Sequence, residues 1–170
     1  GRRLWKKSFP LAVVPARPNQ VVIGPRGETF LGGKPFFPIG IYHVNPRFYD
    51  RARQMGFNCV QAWGTSEERA RQALDIAGQH GLKVILEMSS LLRGRYPPQQ
   101  FRQIVRACRS HEALLAWYPV DEPGPRQYEW CLDAYRACCE LDPDHPVYLV
   151  VCDPSRFGQF SRATDILAID

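Results

Sequence analysis

The sequence lacks the features that mark several protein classes. No stretch reaches the roughly 18 consecutive apolar residues that a membrane-spanning helix requires. None of the 6 cysteines forms a CxxC pair, and no histidine lies at zinc-finger spacing from them. We therefore expect the cysteines to be mostly free and buried. A glycine-rich phosphate loop, which a nucleotide-binding sheet places after its first strand, is also missing.

The formal net charge of +5 raises the question of a nucleic-acid partner. The densest basic cluster is the segment 2–7, and the other arginines are scattered through predicted helices. The segment 93–96 contains two arginines and a tyrosine that a polyanion could contact, but a solvated loop explains it more simply. The sequence therefore predicts no nucleic-acid partner.

Short apolar runs alternate with amphipathic stretches from residue 36 onward. The runs have the length of β-strands and occupy 38–43, 57–63, 82–88, 114–120, 146–152 and 165–170. The stretches between them predict helices at 46–55, 67–80, 98–110 and 126–140, with Asn45 and Ser66 as N-caps. Apolar strands that are each followed by a helix indicate a parallel sheet with helices outside it.

The chain divides into three predicted segments. Residues 1–20 are rich in proline and predict an irregular leader, and 21–35 predict an N-terminal β-hairpin with a turn at 24–27. Residues 36–170 predict an α/β domain of the (β/α)8 TIM-barrel type. A complete barrel takes roughly 250 residues, so we expect a partial barrel of about six βα units. The alternative is a doubly wound sheet, but polar residues at nearly every strand end favour the barrel.

Polar side chains stand at the predicted C-terminal ends of the strands, where barrel enzymes carry their active residues. In chain order they are Tyr42, His43, Gln61, Trp63, Glu87, Asp121, Glu122, Asp153 and Asp170. Carboxylates that share one rim repel one another. This repulsion raises the pKa of at least one of them and suits a general acid.

Some of these polar residues also have a structural explanation. Glu87 could pair with Arg93, and Asp153 with the proline after it is also a turn and helix-start signal. His43 could serve as a hydrogen-bonding residue at the barrel mouth.

The two strand tryptophans have different expected roles. Trp63 stands at the C-terminal end of its strand, where it could stack on a sugar ring. Trp117 lies deeper in its strand and is expected to pack in the core.

Glu122 is the main catalytic candidate. The strand at 114–120 is followed by Asp121, Glu122 and Pro123, and packing alone does not explain two adjacent carboxylates there. Consecutive strand residues point to opposite sides. We therefore expect only one of Asp121 and Glu122 to face the barrel axis.

Several segments resemble the clan of retaining glycoside hydrolases that have (β/α)8 barrels. Segments 36–42, 55–60 and 81–85 look like its opening repeats, and 165–170 is similar to its sixth strand. Segment 115–123 is similar to its strand-four signature, in which Asn-Glu-Pro is typical and Asp121 here replaces the Asn. The resemblance covers about residues 28–170.

The resemblance implies hydrolysis of O-glycosidic bonds, a carbohydrate substrate and neither cofactor nor metal. It implies that Glu122 is the general acid/base, and that the sugar subsite is lined by Tyr42, His43, Trp63, Glu87, Asp121 and Asp153. The nucleophile of the clan is a Glu at the end of strand seven, which we expect beyond Asp170. The chain alone is therefore expected to be inactive. The resemblance is compatible with a secreted or periplasmic location and also with a cytoplasmic one, and it leaves the oligomeric state open.

Two other functions stay open on the sequence alone. The chain could belong to a metal-dependent sugar isomerase in which Mg²⁺ or Mn²⁺ binds carboxylates on successive strands, namely Glu87, Glu122, Asp153 and Asp170. Such sites usually add histidines at strand ends, and only His43 is so placed. The chain could also belong to a carbohydrate-binding barrel without catalytic activity.

Overall fold

A computed structural model of the protein describes residues 15–92 and 99–170. Most of the predicted leader, residues 1–14, lies outside the described residues. The same holds for Arg93, the predicted partner of Glu87, and for the basic segment 93–96.

A small antiparallel sheet precedes the alternating part of the chain. Its strands are β1 (Val21–Ile23), β2 (Thr29–Leu31) and β3 (Lys34–Pro35). The predicted hairpin pairing of β1 with β2 is present, and the amide of Gly24 donates to the carbonyl of Glu28 at 2.7 Å to close the turn. A second turn, at Gly32 and Gly33, is tight enough for Leu31 to pair with Lys34, which adds the third strand.

The remaining strands are parallel, and each lies inside one of the predicted apolar runs. They are β4 (Gly40–Ile41), β5 (Cys59–Trp63), β6 (Lys83–Glu87), β7 (Leu114–Tyr118), β8 (Tyr148–Val151) and β9 (Ile166–Ile169). β4 is much shorter than its run, and just beyond it His43 has a φ of 42°, outside the extended region.

The helices follow the predicted positions. They are α1 (Tyr49–Gln54), α2 (Glu67–Gln79), α3 (Gln99–Cys108), α4 (Tyr128–Leu141) and the short α5 (Phe157–Phe160). α1 and α4 are each preceded by a 3₁₀ turn that begins with a proline, since a proline fits the first helical position. α5 was not predicted, because four residues are too few to show a helical period. No helix in the described ranges is long and apolar enough to cross a bilayer.

Neighbouring strands of the parallel sheet are also consecutive in the chain. β4, β5, β6 and β7 pair in that order, β8 pairs with β9, and a parallel bridge between Trp117 and Val147 joins the two groups. A doubly wound sheet reverses its strand order at a switch point, so this order argues against that alternative. Within residues 15–92 and 99–170 no pairing joins β9 to β4, and the sheet is not a closed barrel.

The two faces of the parallel sheet pack against different elements. On one face, Val60 and Leu86 belong to a core that also contains helix residues such as Leu74 and Ile104. On the other face, Cys59 and Leu115 pack against Val21 of the antiparallel sheet. The helices thus cover one side of the sheet, and the antiparallel strands cover the N-terminal part of the other.

The cysteines behave largely as predicted. All six are free; Cys139 and Cys152 are exposed, and the buried ones are Cys59, Cys108, Cys131 and Cys138. Burial raises the pKa of the Cys59 and Cys108 thiols to about 11. These thiols are therefore neutral, and they pack as small apolar groups.

Candidate functional site

The C-terminal ends of the parallel strands surround a cavity of about 420 Å³, which we call the acidic cavity. Its carboxylates come from the segment after β7 and from the residue after β9. The full lining is Tyr42, Gln61, Tyr118, Asp121, Glu122, Tyr148, Val150, Ala168, Ile169 and Asp170. Parallel strands place their carboxyl ends at one edge, and this brings side chains from distant parts of the sequence together.

Asp121 and Glu122 both line the acidic cavity, and the expectation that only one of them faces the barrel axis stays a prediction. The expectation assumed a regular strand through both residues, but β7 ends at Tyr118. Past that point the alternation of side chains no longer holds. The Tyr118 hydroxyl donates a hydrogen bond to Oδ1 of Asp121 and fixes that carboxylate, while Glu122 is exposed.

The backbone is unusual at two of the candidate residues. His43 and Glu122 have φ values of 42° and 40°, and they are the non-glycine residues with positive φ in the described part of the chain. A side chain in this region costs on the order of 1–3 kcal/mol, and such conformations cluster at functional sites. His43 lies two residues after β4 and Glu122 four residues after β7, so both positive φ values occur just past the C-terminal ends of parallel strands.

The carboxyl group of Glu122 holds its proton more tightly than an ordinary glutamate. A hydrogen bond shared with Asp170 is the main cause of the raised pKa, and the charge of Asp121 adds to it. A second proton acceptor close to a carboxylate favours the protonated form. The arrangement therefore places a carboxyl group with a raised pKa at the edge of an open cavity.

The carboxylates near the acidic cavity also act on Tyr42. Burial is the first cause of its raised pKa, and the charges of the surrounding carboxylates follow: Asp121, Glu87, Glu122 and Asp170. The phenol therefore stays neutral and can donate a hydrogen bond. Among the described residues, no basic side chain lines the acidic cavity.

Two tyrosines of this cavity were not identified from the sequence. Tyr118 and Tyr148 form an edge-to-face pair with ring centroids 4.9 Å apart. Burial, followed by the hydrogen bond to Asp121, raises the pKa of Tyr118. Both are strand residues that point to the inner face, and the two-residue alternation of β7 and β8 could have indicated them.

Glu87 is held away from the cavity. Its carboxylate is buried and accepts hydrogen bonds from Nε2 of His43 at 2.8 Å, from Nε2 of Gln61 at 3.0 Å and from the Ser89 hydroxyl. Glu87 is not among the residues that line the acidic cavity. The structure therefore places it behind His43 and Gln61, where it orients both side chains, and direct substrate contact by Glu87 stays a prediction.

Tyr42, His43 and Trp63 form a stack of three rings. The ring centroids of Tyr42 and His43 are 3.9 Å apart, and those of His43 and Trp63 are 3.8 Å apart. Tyr42 and Trp63 are 62% and 53% exposed. Exposed aromatic faces beside a polar cavity are typical of surfaces that contact sugar rings, so the predicted stacking role of Trp63 has a suitable geometry.

Asp153 lies apart from these groups. Its carboxylate caps the 3₁₀ turn Pro154–Arg156 by accepting from the Ser155 amide at 3.0 Å, and it also accepts from Nε of Arg156 at 2.5 Å. The hydrogen bonds from Ser155 and Arg156 lower the pKa of Asp153. The structural explanation of the Asp153-Pro154 pair fits this position, since Asp153 does not line the acidic cavity.

The four carboxylates that could have formed a metal site are not assembled as one. Asp153 is engaged with Arg156, and Glu87 is engaged with His43 and Gln61. No group of three or more His, Cys, Asp or Glu side chains among the described residues has the arrangement of a metal site.

Comparisons with known proteins bear on the fold. A scan against protein-family models and a search of curated proteins both find no match for the chain. Among solved structures, an endo-1,4-beta-mannanase from Eisenia fetida matches with a TM-score of 0.65 at 14% identity, over 81% of this chain and 63% of that chain. A beta-1,4-D-mannanase from Cryptopygus antarcticus matches with a TM-score of 0.59 at 12% identity, over 74% and 59%. A beta-glucuronidase from an uncultured Clostridium sp. matches with a TM-score of 0.63 at 16% identity, over 89% and 31%.

The chain has a glycosidase-like fold. The identities are too low for the comparisons to show more than that. The chain spans less than two thirds of the length of each of these three proteins.

Proposed function

We propose that the chain is the part of a retaining glycoside hydrolase barrel that carries the general acid/base, Glu122. In this proposal β4 to β9 are the first six strands of a (β/α)8 barrel, and the antiparallel sheet covers the N-terminal end of its interior. Apolar side chains at the two open edges support it, since Ile39 and Ile169 are 45% and 68% exposed. Further βα units would cover them.

The position of Glu122 is the observation that carries the proposal. It follows the fourth parallel strand, sits at a φ of 40° and lines a cavity shared with Asp121 and Asp170. Its raised pKa keeps it protonated closer to neutral pH, which a general acid requires.

The chemistry takes two steps. Glu122 first donates its proton to the glycosidic oxygen while the partner carboxylate attacks the anomeric carbon, so that the glycosidic bond breaks and a glycosyl ester forms. Its carboxylate then removes a proton from the water that attacks the glycosyl intermediate. The partner carboxylate of a retaining mechanism lies about 5–5.5 Å from the acid, and the family resemblance places it on a seventh strand beyond Asp170. Asp121 accepts a hydrogen bond from a sugar hydroxyl, and the exposed rings contact the sugar face.

The test compares Glu122 variants of the full-length protein on two kinds of substrate. Glu122→Gln should lower kcat/KM on unactivated oligosaccharides by about 10²–10⁴-fold, the usual contribution of a general acid. The loss should be much smaller on dinitrophenyl glycosides, because their leaving group departs without a proton. Azide should restore turnover of these glycosides by Glu122→Ala, since an anionic nucleophile needs no general base.

Glu112→Gln is the matched control. Glu112 is exposed and lies two residues before β7, at the opposite end of the strand that leads to Glu122. This variant should keep full activity. If Glu122→Gln cleaved unactivated oligosaccharides at the wild-type rate, the assignment of Glu122 would be wrong. Oligosaccharide binding without turnover by the wild-type protein would instead favour a carbohydrate-binding barrel.

A further inference from the structure

A second cavity, of about 520 Å³, lies at the Trp63 end of the ring stack. The acidic cavity lies at the other end, where Tyr42 lines it. Gln61 lines both cavities, so they adjoin at this residue. An extended chain of sugars could therefore occupy both.

The two cavities carry opposite charge. Asp121, Glu122 and Asp170 line the acidic cavity, whereas the described residues that line the second cavity include Arg69 and neither Asp nor Glu. A carboxylate-bearing sugar is repelled by the first cavity and attracted by the second.

Arg69 is free to bind an anion. Among the residues that the structure describes, no carboxylate pairs with its guanidinium group. Glu67, on the same turn, pairs with Arg71 at 3.1 Å and does not line the cavity. An exposed guanidinium presents several N–H donors in one plane, and these match a carboxylate in a bidentate arrangement.

A helix cap fixes the backbone position of Arg69. The Ser66 side chain caps α2 by accepting from the Arg69 amide at 3.2 Å, which places Arg69 in the first turn of the helix. Glu67 and Glu68 in the same turn offset the partial positive charge of the helix N-terminus, so the attraction for an anion comes from the Arg69 guanidinium. The side chains of Asn45 and Gln72 also line the cavity and can bind sugar hydroxyls.

We propose that the second cavity binds a uronic acid residue of an oligosaccharide, with its carboxylate on Arg69 and its ring against Trp63, while a neutral sugar occupies the acidic cavity. The inference rests on the carbohydrate-binding part of the proposed function and does not depend on turnover. It predicts that the substrate is a mixed or acidic polysaccharide rather than a purely neutral one.

The test measures binding in the full-length protein with Glu122→Gln, which prevents cleavage of the probe. The probes are tetramers that end in glucuronic, galacturonic or mannuronic acid, each compared with its uncharged methyl ester by titration calorimetry. At least one free acid should bind about tenfold more tightly than its ester, an effect expected for hydrogen bonds to a charged group. The difference should shrink at high salt.

Variants at position 69 test whether the preference for the free acid arises in the second cavity. Arg69→Gln should reduce the affinity for the free acid to that of the ester, and Arg69→Lys should give an intermediate value because it keeps the charge but loses the bidentate geometry. Arg71→Gln is the control, since Arg71 lies on the same helix but pairs with Glu67 outside the cavity. This variant should bind each free acid as tightly as the Glu122→Gln protein that has Arg71.

The outcomes separate this inference from the proposed function. Equal affinity for every acid and its ester, or an Arg69→Gln variant that still prefers the acid, would overturn the inference. Hydrolysis of neutral oligosaccharides with no preference for uronic acids would also overturn it, while leaving the role of Glu122 intact. Uronic acid binding through Arg69 in a wild-type protein that cleaves nothing would support the inference and refute the catalytic role.

Discussion

Two glutamates near the ends of neighbouring strands are held in opposite ways. Glu87, the last residue of β6, is 4% exposed and accepts hydrogen bonds from His43, Gln61 and Ser89. Glu122, four residues after β7 ends, is exposed and faces Asp121 and Asp170. The first carboxylate is surrounded by donors, and the second lies among like charges.

The backbone differs in the same way. Glu87 pairs within the regular part of the sheet, whereas Glu122 has a positive φ. A buried carboxylate with several donors stabilises the fold, because removing it leaves its partners unsatisfied. A carboxyl crowded by others on a strained backbone adds little to stability but is poised to hold and release a proton. Residue type alone does not separate these roles; the surrounding donors do.

The largest expected effect is on stability at Glu87. Glu87→Leu should lower the free energy of unfolding by about 3–5 kcal/mol, because the buried Gln61 amide and the His43 imidazole lose their acceptor. Denaturant unfolding followed by tryptophan fluorescence measures this. Glu87→Gln keeps the shape of the side chain and one acceptor oxygen, so it should lose less stability. It also allows the measurement if Glu87→Leu does not fold. An unchanged midpoint in both variants would mean that Glu87 is not structural.

A smaller effect of opposite sign is expected at Glu122. Glu122→Asn should raise Tm by about 2–4 °C, since asparagine tolerates positive φ and the substitution removes one of three neighbouring carboxylates. The same variant should lose hydrolytic activity. Differential scanning calorimetry gives the Tm, with Glu112→Asn as the control. A lower Tm would show that the Glu122 side chain supports the fold and would remove the contrast with Glu87.

The smallest effect is a shift in pH dependence. Glu122 must be protonated to act as an acid, so activity falls as pH rises through its raised pKa. Asp170→Asn removes the main cause of that increase, which should lower the pKa of Glu122 and move the alkaline limb of kcat/KM to lower pH. Asp75→Asn, an exposed residue of α2, should leave the profile unchanged. If the alkaline limb did not move, Asp170 would not be the cause of the raised pKa of Glu122.

Local sequence patterns determined the elements of this protein. Each apolar run became a strand, and Asn45 and Ser66 cap the turns that follow them, because strand periodicity and capping depend on residues only a few positions apart. The polar strand ends could be identified for the same reason. The resemblance to glycoside hydrolases agrees with the glycosidase-like fold that the solved structures support, while the (β/α)8 barrel stays a prediction.

Only the tertiary structure decided which polar residues share a site. The donors to Glu87 include side chains 44 and 26 positions away in the sequence, and Asp170 meets Glu122 across the sheet. Asp121 and Glu122 line one cavity because β7 ends before them. Such contacts depend on strand order, register and the point where each strand ends. These are set by the packing of the whole sheet rather than by neighbours in the chain.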